Sequence, residues 1–218
     1  MINLGILVSG SGTNLQAIID TIEAKRLDAK IKIVISNNPD AFAIERAKKY
    51  HIPTFIIQDS HFPSREESDK HLVEILKSHS VDLIALAGFM RLLTPAFIRA
   101  FPLKILNIHP ALLPAFPGLR VQKKAVEYGV KFSGCSVHIV DEGVDTGPIV
   151  IQAVVPVHEN DTEKTLAERI LKEEHRIYPQ AIQFFAENRV EIKDRKVMIK
   201  DSPKVEGVLE NPPVKIFK

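Results

Sequence analysis

The chain has 218 residues, 45% of them hydrophobic and 26% charged, a composition typical of a soluble globular protein. Its 29 Lys and Arg against 27 Asp and Glu leave a net charge of +2, so no overall field favours nucleic acid or membrane, and any anion must be bound locally. No apolar run approaches the roughly 20 residues that span a bilayer, and the single cysteine, Cys135, cannot form an internal disulfide, so we expect a cytoplasmic protein. We expect a monomer or a homodimer.

Apolar runs alternate with helical patterns through the first half of the chain. We predict, in chain order, a strand at 3–9, a helix from 14, a strand at 30–36, a helix at 42–50, a strand at 54–57, a helix at 64–77, and strands at 82–87 and 104–109. The third helix begins with the S-x-x-E pattern of a capping box at Ser64. Strands that alternate with helices favour a parallel sheet with right-handed crossovers, a Rossmann-like α/β core.

The second half of the chain predicts a different strand pairing. After a short helix at 121–127, strands at 134–140 and 149–155 are separated by eight turn-forming residues, which indicates an antiparallel edge. A long helix at 162–188 should kink or break at Pro179, because proline lacks an amide donor. Two short strand-like pieces follow. We predict one domain over residues 1–218, with a core at 1–189 and a short extension at 190–218.

Asn107 and His109 end an apolar run and are followed by prolines. Residues two apart share a face of a strand, so the amide and the imidazole should project together at the carboxyl end, where open α/β sheets bind ligands. Both groups can donate to an oxygen that gains charge, which suits a carbonyl carbon becoming tetrahedral. A helix-capping Asn beside a surface His is the alternative.

Residues 9–14, Ser-Gly-Ser-Gly-Thr-Asn, join the first strand to the first helix. Their amides and the helix N-terminus, with about half an elementary positive charge, can attract a phosphate. The loop lacks the Gly-Lys-Ser/Thr of a Walker A loop, and Leu15 stands where the dinucleotide fingerprint has its third glycine. A monophosphate suits the loop best; a tight turn without a ligand is the alternative.

Three further features have a simple structural interpretation. Residues 87–95 carry apolar side chains in a loop, which either close the core or line a slot for a flat ligand. Three carboxylates within residues 141–145 indicate a solvated acidic turn in the simplest interpretation. Cys135 is expected to be a small buried hydrophobe. The eight histidines show no metal-ligand spacing, so no metal site is predicted.

Together these motifs resemble those of the phosphoribosylglycinamide formyltransferases, folate-dependent enzymes of purine synthesis. The matching stretches are residues 9–18, 87–91, 107–114, 136–138 and 141–148, in the order of the family. The resemblance implies a Rossmann-like formyltransferase fold, a mostly parallel twisted sheet with antiparallel C-terminal strands and helices on both faces. It also implies small-molecule substrates: 10-formyltetrahydrofolate gives its formyl group to the amine of glycinamide ribonucleotide.

The resemblance also implies roles for individual residues. Asn107, His109 and Asp145 match the catalytic trio, with Asp145 as the carboxylate that favours a protonated His109. The positions that match ribonucleotide contacts are Gly12, Thr13 and Asn14 for the phosphate, and Leu171, Lys172, Glu173 and Glu174 for the ribose and glycinamide end. The positions that match folate contacts are Arg65, Met90, Arg91, Leu92, Leu93, Asn107, Asp141, Glu142, Gly143, Val144 and Asp145.

Four other functions compete with this interpretation. A methionyl-tRNA formyltransferase would need an RNA-binding domain and a basic surface. A formyltetrahydrofolate hydrolase of this family would carry a regulatory domain before the core, whereas this chain begins on its first strand. A Rossmann dehydrogenase is disfavoured by the missing third glycine. A non-catalytic nucleotide-binding module would leave Asn107, His109 and Asp145 unexplained.

Overall fold

Seven strands form the main sheet of the computed structural model, which describes residues 1–203, 206, 207, 209 and 211. They are β1 (Ile2–Val8), β2 (Ala29–Ser36), β3 (Thr54–Ile56), β4 (Leu83–Leu86), β5 (Ile105–His109), β6 (Phe132–Ile139) and β7 (Ile149–Pro156). The strand order is β3-β2-β1-β4-β5-β6-β7. Strands β1 to β5 pair in parallel, and β6 pairs antiparallel with both β5 and β7. The predicted parallel sheet with an antiparallel edge is confirmed.

Helices cover both faces of this sheet, as predicted. They are α1 (Thr13–Glu23), α2 (Phe42–Lys49), α3 (Arg65–Ser78), α4 (Pro95–Ala100), α5 (Val121–Tyr128) and α6 (Glu163–Ala186). Successive strand side chains point to opposite faces. On β1, Leu4 and Ile6 pack in one core cluster with α1, α2, α5 and α6, whereas Leu7 packs in a second cluster with α3 and α4. The continuous apolar strands are therefore buried on both sides.

Two short elements escape the sequence prediction, namely α4 and a 3₁₀ turn at Asp59–His61. A helix of six residues is too short to repeat the apolar period of 3.6 residues, so periodicity cannot reveal it. Its start nevertheless has a local signal. Thr94 is the N-cap and accepts a hydrogen bond from the amide of Phe97 at 3.3 Å, and Pro95 occupies the first helical position.

The last helix does not break at Pro179, because α6 runs without interruption from Glu163 to Ala186, and the alternative of a kink stays a prediction. A proline inside a helix costs about 3 kcal/mol. The side chains of Ile177, Tyr178 and Ile182 around it are all buried. Burying one such side chain contributes about 1.5–3 kcal/mol, so packing against the sheet outweighs the missing hydrogen bond.

A two-stranded hairpin follows α6 and confirms the two predicted strand-like pieces. Strands β8 (Val190–Lys193) and β9 (Lys196–Ile199) pair antiparallel, and their half-buried apolar side chains pack against the main core. Pro212 and Pro213, near the end of the predicted extension, lie outside the described residues. The division of residues 1–218 into one domain with a core and an extension stays a prediction. None of the helices in the described ranges has both the length and the apolar character needed to cross a membrane.

The single cysteine behaves as a buried hydrophobe, as expected. Cys135 lies on β6 and is fully buried. Burial raises the pKa of its thiol to about 12, and the nearby carboxylate of Glu174 adds to the effect. The thiol is therefore protonated at neutral pH and is not a nucleophile.

The hydroxyl of Tyr178 should make a measurable contribution to stability. This fully buried side chain reaches from α6 to the backbone carbonyl oxygens of Leu86 and Leu106, at 3.0 Å from each. We expect Tyr178→Phe to lower the free energy of unfolding by about 1 kcal/mol, the net value of one buried hydrogen bond. Urea unfolding measures the loss. Tyr128→Phe is the control, because Tyr128 is exposed, and an equal loss in both variants would contradict the expectation.

Candidate active site

The sheet topology creates a crevice between β1 and β4. The strand order reverses there, because β2 and β3 lie on one side of β1 while β4 and β5 lie on the other. Loops that leave parallel strands on the two sides of such a reversal diverge at the carboxyl edge and leave a ligand-binding gap. A cleft of about 210 Å³ occupies this position, lined by Ser9, Gly10, Ser11, Gly12, Thr13, Asn14, Ala87, Gly88 and Met90. Two motifs from distant parts of the sequence thus share one cleft.

The glycine loop is held against α2. Gly12 has φ of +72°, and a Cβ at this position would lie 2.6 Å from the Cβ of Ala43. The carbonyl of Gly10 accepts from the Ala43 amide at 3.1 Å, and Arg46 Nε donates to the Ser11 carbonyl at 2.9 Å. Close packing on α2 therefore requires glycine at position 12. Gly12 is also the N-cap of α1 without a side-chain cap, so amides of the first turn stay available to an anion at the cleft.

Asn14 and Glu174 meet at one end of this loop although 160 residues separate them. The Asn14 amide Nδ2 donates to Glu174 Oε2 at 2.7 Å, and both side chains are buried. Burial raises the pKa of Glu174, and the hydrogen bond from Asn14 offsets part of that rise. Asn14 Oδ1 is buried and has no hydrogen-bond partner among the described residues. The pair therefore offers polar atoms to a ligand beside the glycine loop.

The other three predicted positions of α6 do not share this contact. Glu173 is half-buried and forms an ion pair with Arg176 at 2.6 Å, and Lys172 is exposed. Leu171 lies almost one turn before Glu174 on the same side of the helix and is half-buried. Within the described part of the chain, Glu174 is thus the member of this segment that bonds to the glycine loop.

The loop after β4 displays alternate side chains to solvent. Met90 and Leu92 are 71% and 61% exposed, whereas the guanidinium of Arg91 is buried between acidic side chains. Leu93 is half-buried. A loop that merely closed the core would bury its apolar residues. The amide of Met90 donates to Ser9 Oγ at 2.8 Å, which joins this loop to the glycine loop.

The expected folate contact of Arg91 stays a prediction, and its side chain lies inside the protein. Nε and Nη2 donate to Asp59 and Asp69, whereas Nη1 is buried without a hydrogen-bond partner among the described residues. Arg65, by contrast, is the first residue of α3 and its side chain is exposed. Its cap residue, Ser64, accepts from the Glu67 amide at 3.2 Å, which confirms the predicted helix start.

Asn107 and His109 converge on the carboxylate of Asp145, the residue that the family resemblance grouped with them. Both residues end β5 and project to one side of the sheet. His109 Nδ1 lies 3.3 Å from Asp145 Oδ2, and Asn107 Nδ2 lies 3.4 Å from Asp145 Oδ1. His109 Nε2 faces the carbonyl oxygen of Phe116 at 2.9 Å. Each imidazole nitrogen therefore faces an acceptor.

Asp145 is not part of a solvated acidic turn, because its side chain is only 12% exposed. It has a positive φ of 55°, which aspartate tolerates better than most residues, and its Oδ2 accepts from the Gly118 amide at 2.9 Å. Burial by itself would raise the pKa of Asp145, but hydrogen bonds from His138 and Gly118 and the charge of His109 leave it below its ordinary value. The group is a carboxylate at neutral pH.

Sequence reasoning missed the place of His138 in this cluster. His138 Nε2 lies 3.1 Å from Asn107 Nδ2 and 3.5 Å from Asp145 Oδ1. The antiparallel register of β5 and β6 sets Asn107 opposite His138. The alternating pattern of side chains along residues 134–140 indicated a strand. The register of that strand against β5 is a tertiary property, which no local pattern contains.

The turn that carries Asp145 is braced by its own side chains. Asp141 Oδ1 accepts from the Gly143 amide at 3.1 Å and from Thr146 Oγ1 at 2.6 Å. A Cβ at Gly143 would lie 2.0 Å from Thr146 Oγ1, so the turn needs glycine there. Glu142 pairs with Arg99 at 2.7 Å on the surface, and Val144 is 49% exposed. The turn thus presents one apolar side chain beside the carboxylate of Asp145.

Comparison with known proteins identifies the family. Residues 2–182 match the family model described as formyl transferase. The phosphoribosylglycinamide formyltransferase of Escherichia coli (strain K12) is 42% identical over 192 residues, which cover 88% of this chain and 91% of that protein. The trifunctional purine biosynthetic protein adenosine-3 of Chironomus tentans is 45% identical over 88% of this chain, but the chain spans only 14% of its length.

A solved structure agrees with these relatives. The crystal structure of glycinamide ribonucleotide transformylase 1 from Symbiobacterium toebii superposes with a TM-score of 0.91 at 52% identity. The match covers 92% of this chain and 95% of that one. The chain belongs to the formyl transferase family and, within it, to the phosphoribosylglycinamide formyltransferases.

Proposed function

We propose that the protein transfers the formyl group of 10-formyltetrahydrofolate to the primary amine of glycinamide ribonucleotide, a reaction of purine synthesis. The observation that carries the proposal is the convergence of Asn107 and His109 on the Asp145 carboxylate. These three groups combine two hydrogen-bond donors with an anion that stabilises a cationic imidazole. That combination suits acyl transfer through a tetrahedral oxyanion.

The ribonucleotide would occupy the cleft between the glycine loop and the loop after β4. Its phosphate binds the amides of residues 10–14 at the N-terminus of α1, where the helix dipole favours an anion. Glu174, held by Asn14, accepts hydrogen bonds from the ribose and glycinamide end. Asn14 Oδ1, which is buried and has no partner among the residues that the structure describes, supports this placement, because a buried acceptor needs a donor.

The folate would lie between the loop at Met90–Leu93 and the turn at Asp141–Asp145. Exposed apolar side chains at Met90, Leu92 and Val144 can cover the faces of the pterin ring, while backbone groups of both segments pair with its polar edge. The exposed cation of Arg65 suits the carboxylate end of the folate.

The transfer then needs no covalent enzyme intermediate. The glycinamide nitrogen attacks the formyl carbon and forms a C–N bond, and the carbonyl electrons move to the oxygen. Asn107 Nδ2 and protonated His109 donate to this oxyanion. It takes the place of Asp145 Oδ1 as acceptor from Asn107, and of the Phe116 carbonyl as acceptor from His109 Nε2. The oxyanion then re-forms the carbonyl as the bond from carbon to the folate nitrogen breaks, and that nitrogen takes the proton lost by the amine. Asp145 stabilises the imidazolium throughout.

A spectroscopic assay tests the proposal against its alternatives. Pure protein is mixed with 10-formyltetrahydrofolate and glycinamide ribonucleotide, and folate absorbance is followed. Release of tetrahydrofolate that requires the ribonucleotide supports the proposal. Release without the ribonucleotide would indicate a hydrolase, and no release would contradict formyl transfer.

Substitutions in the catalytic trio should affect turnover. We expect Asn107→Ala to lower kcat by about 10²–10³, the loss for one oxyanion donor, and His109→Asn to lower it further because the charged donor disappears. Asp145→Asn should also lower kcat. Residues that act as a unit give non-additive effects, so adding Asp145→Asn to His109→Asn should have little further effect. His158→Asn, at an exposed histidine, is the control and should retain full activity.

Glu174→Gln should separate binding from stability. Burial raises the pKa of Glu174, so its carboxylate costs folding stability as pH rises above its ordinary value of 4.5. Glutamine keeps an acceptor for Asn14 without the charge. We expect the melting temperature of the variant to rise relative to that of the wild type as pH increases above 4.5, while KM for the ribonucleotide rises about tenfold or more. Glu173→Gln is the matched control, and no gain in stability for Glu174→Gln would contradict the role of the buried charge.

A further inference from the structure

A buried polar cluster behind the folate slot is used by no step of the proposed chemistry. It consists of Asp59, Ser68, Asp69, Arg91 and Thr94, which we call the Arg91 cluster. We propose that Asp69 is a positioning residue for the folate, which holds the loop at residues 90–94 in its binding conformation through Arg91 and the Thr94 amide. The inference rests on the proposed function and adds a determinant of folate affinity that touches neither substrate.

The contacts of the cluster cross three separate segments. Arg91 donates from Nη2 to Asp69 Oδ1 and to Ser68 Oγ at 3.2 Å, and from Nε to Asp59 Oδ2 at 2.9 Å. Asp69 Oδ2 accepts from the Thr94 amide at 2.7 Å, and Ser68 Oγ donates to Asp59 Oδ1 at 2.8 Å. Asp69 thus uses each of its oxygens for a different residue of the same loop.

Burial restricts the conformations that the Asp69 and Arg91 side chains can adopt. The side chains of Asp69 and Arg91 are 1% and 5% exposed. Charges removed from water are tolerated only when they are paired, so the loop has few alternative conformations that keep the ion pair between Asp69 and Arg91. Asp59, at 41% exposure, retains water on one side and contributes less constraint. Asp69 is therefore the dominant anchor.

The anchored loop is the one that presents the exposed apolar side chains. Between the end of β4 and the start of α4 the chain has neither helix nor strand to fix it. Its ends are tied by Met90 to Ser9 and by Thr94 to Asp69. With the Arg91 side chain directed inward, Met90 and Leu92 on either side of it point outward.

The same anchor fixes the other predicted folate contact. Asp69 lies one helical turn after Arg65, on the same side of α3. A contact from Asp69 to the loop therefore also sets the distance between Arg65 and the residues at 90–93. One buried carboxylate thus positions two segments that would bind different parts of the same folate.

Asp69→Asn tests the inference, because asparagine keeps an acceptor for the Thr94 amide but removes the charge opposite Arg91. We expect KM for 10-formyltetrahydrofolate, and the Kd for tetrahydrofolate measured by calorimetry, each to rise about tenfold. The kcat and the KM for glycinamide ribonucleotide should change less than about twofold. The catalytic trio and the glycine loop do not touch the cluster, and Met90, which lines the cleft, keeps its own hydrogen bond to Ser9.

Asp161→Asn is the matched control. Asp161 is likewise a buried carboxylate in an ion pair, 2.7 Å from Arg169, but it precedes α6 and belongs to none of the proposed binding segments. Both variants should lose thermal stability, and only Asp69→Asn should weaken folate binding. If Asp69→Asn does not fold, Asp59→Asn, at the half-exposed member, should give a smaller rise in the same two folate constants.

Each outcome decides the inference. The positioning role is supported if Asp69→Asn, or Asp59→Asn as its substitute, weakens folate binding and Asp161→Asn does not. Unchanged folate constants, or equal weakening of both substrates, would reduce the cluster to a structural role and overturn it. If the wild type binds tetrahydrofolate but transfers no formyl group, the proposed function fails. The Kd values of wild type and Asp69→Asn for tetrahydrofolate then still test the role of Asp69. A wild type that does not bind tetrahydrofolate overturns both.

Discussion

The carboxylate of Asp145 is the interaction on which the candidate site depends. It is held by the Gly118 amide from the segment after β5, and it faces His109 and Asn107 of β5 and His138 of β6. A largely buried anion needs such partners, because each unpaired contact would leave its charge without compensation. The turn that carries Asp145 is therefore held against side chains of both β5 and β6.

Sheet topology supplies the rest of the arrangement. Three parallel strands, β1, β4 and β5, end at the same edge, and the reversal of strand order between β1 and β4 opens the cleft there. The antiparallel addition of β6 brings a histidine to the same edge from a later part of the chain. Residues that lie far apart in sequence become neighbours because the carboxyl ends of parallel strands coincide.

Buried polar groups lie next to both of the proposed substrate positions. Glu174 is buried against Asn14, and Arg91 lies between Asp59 and Asp69. A protein selected for stability alone would replace such groups with apolar side chains of similar volume. Their presence around one cleft fits a molecule in which charged groups are held in fixed directions before the substrates bind.

Local sequence patterns determined the elements of the main sheet, the shared face of Asn107 and His109, and the glycine loop before α1, because periodicity and turn chemistry act over a few residues. Tertiary structure alone decided the register that sets His138 opposite Asn107 and the inward direction of the Arg91 side chain. It also decided the continuity of α6 through Pro179, where packing on the sheet exceeds the local cost of proline. These outcomes depend on partners distant in the chain, and a local pattern contains no information about where those partners lie.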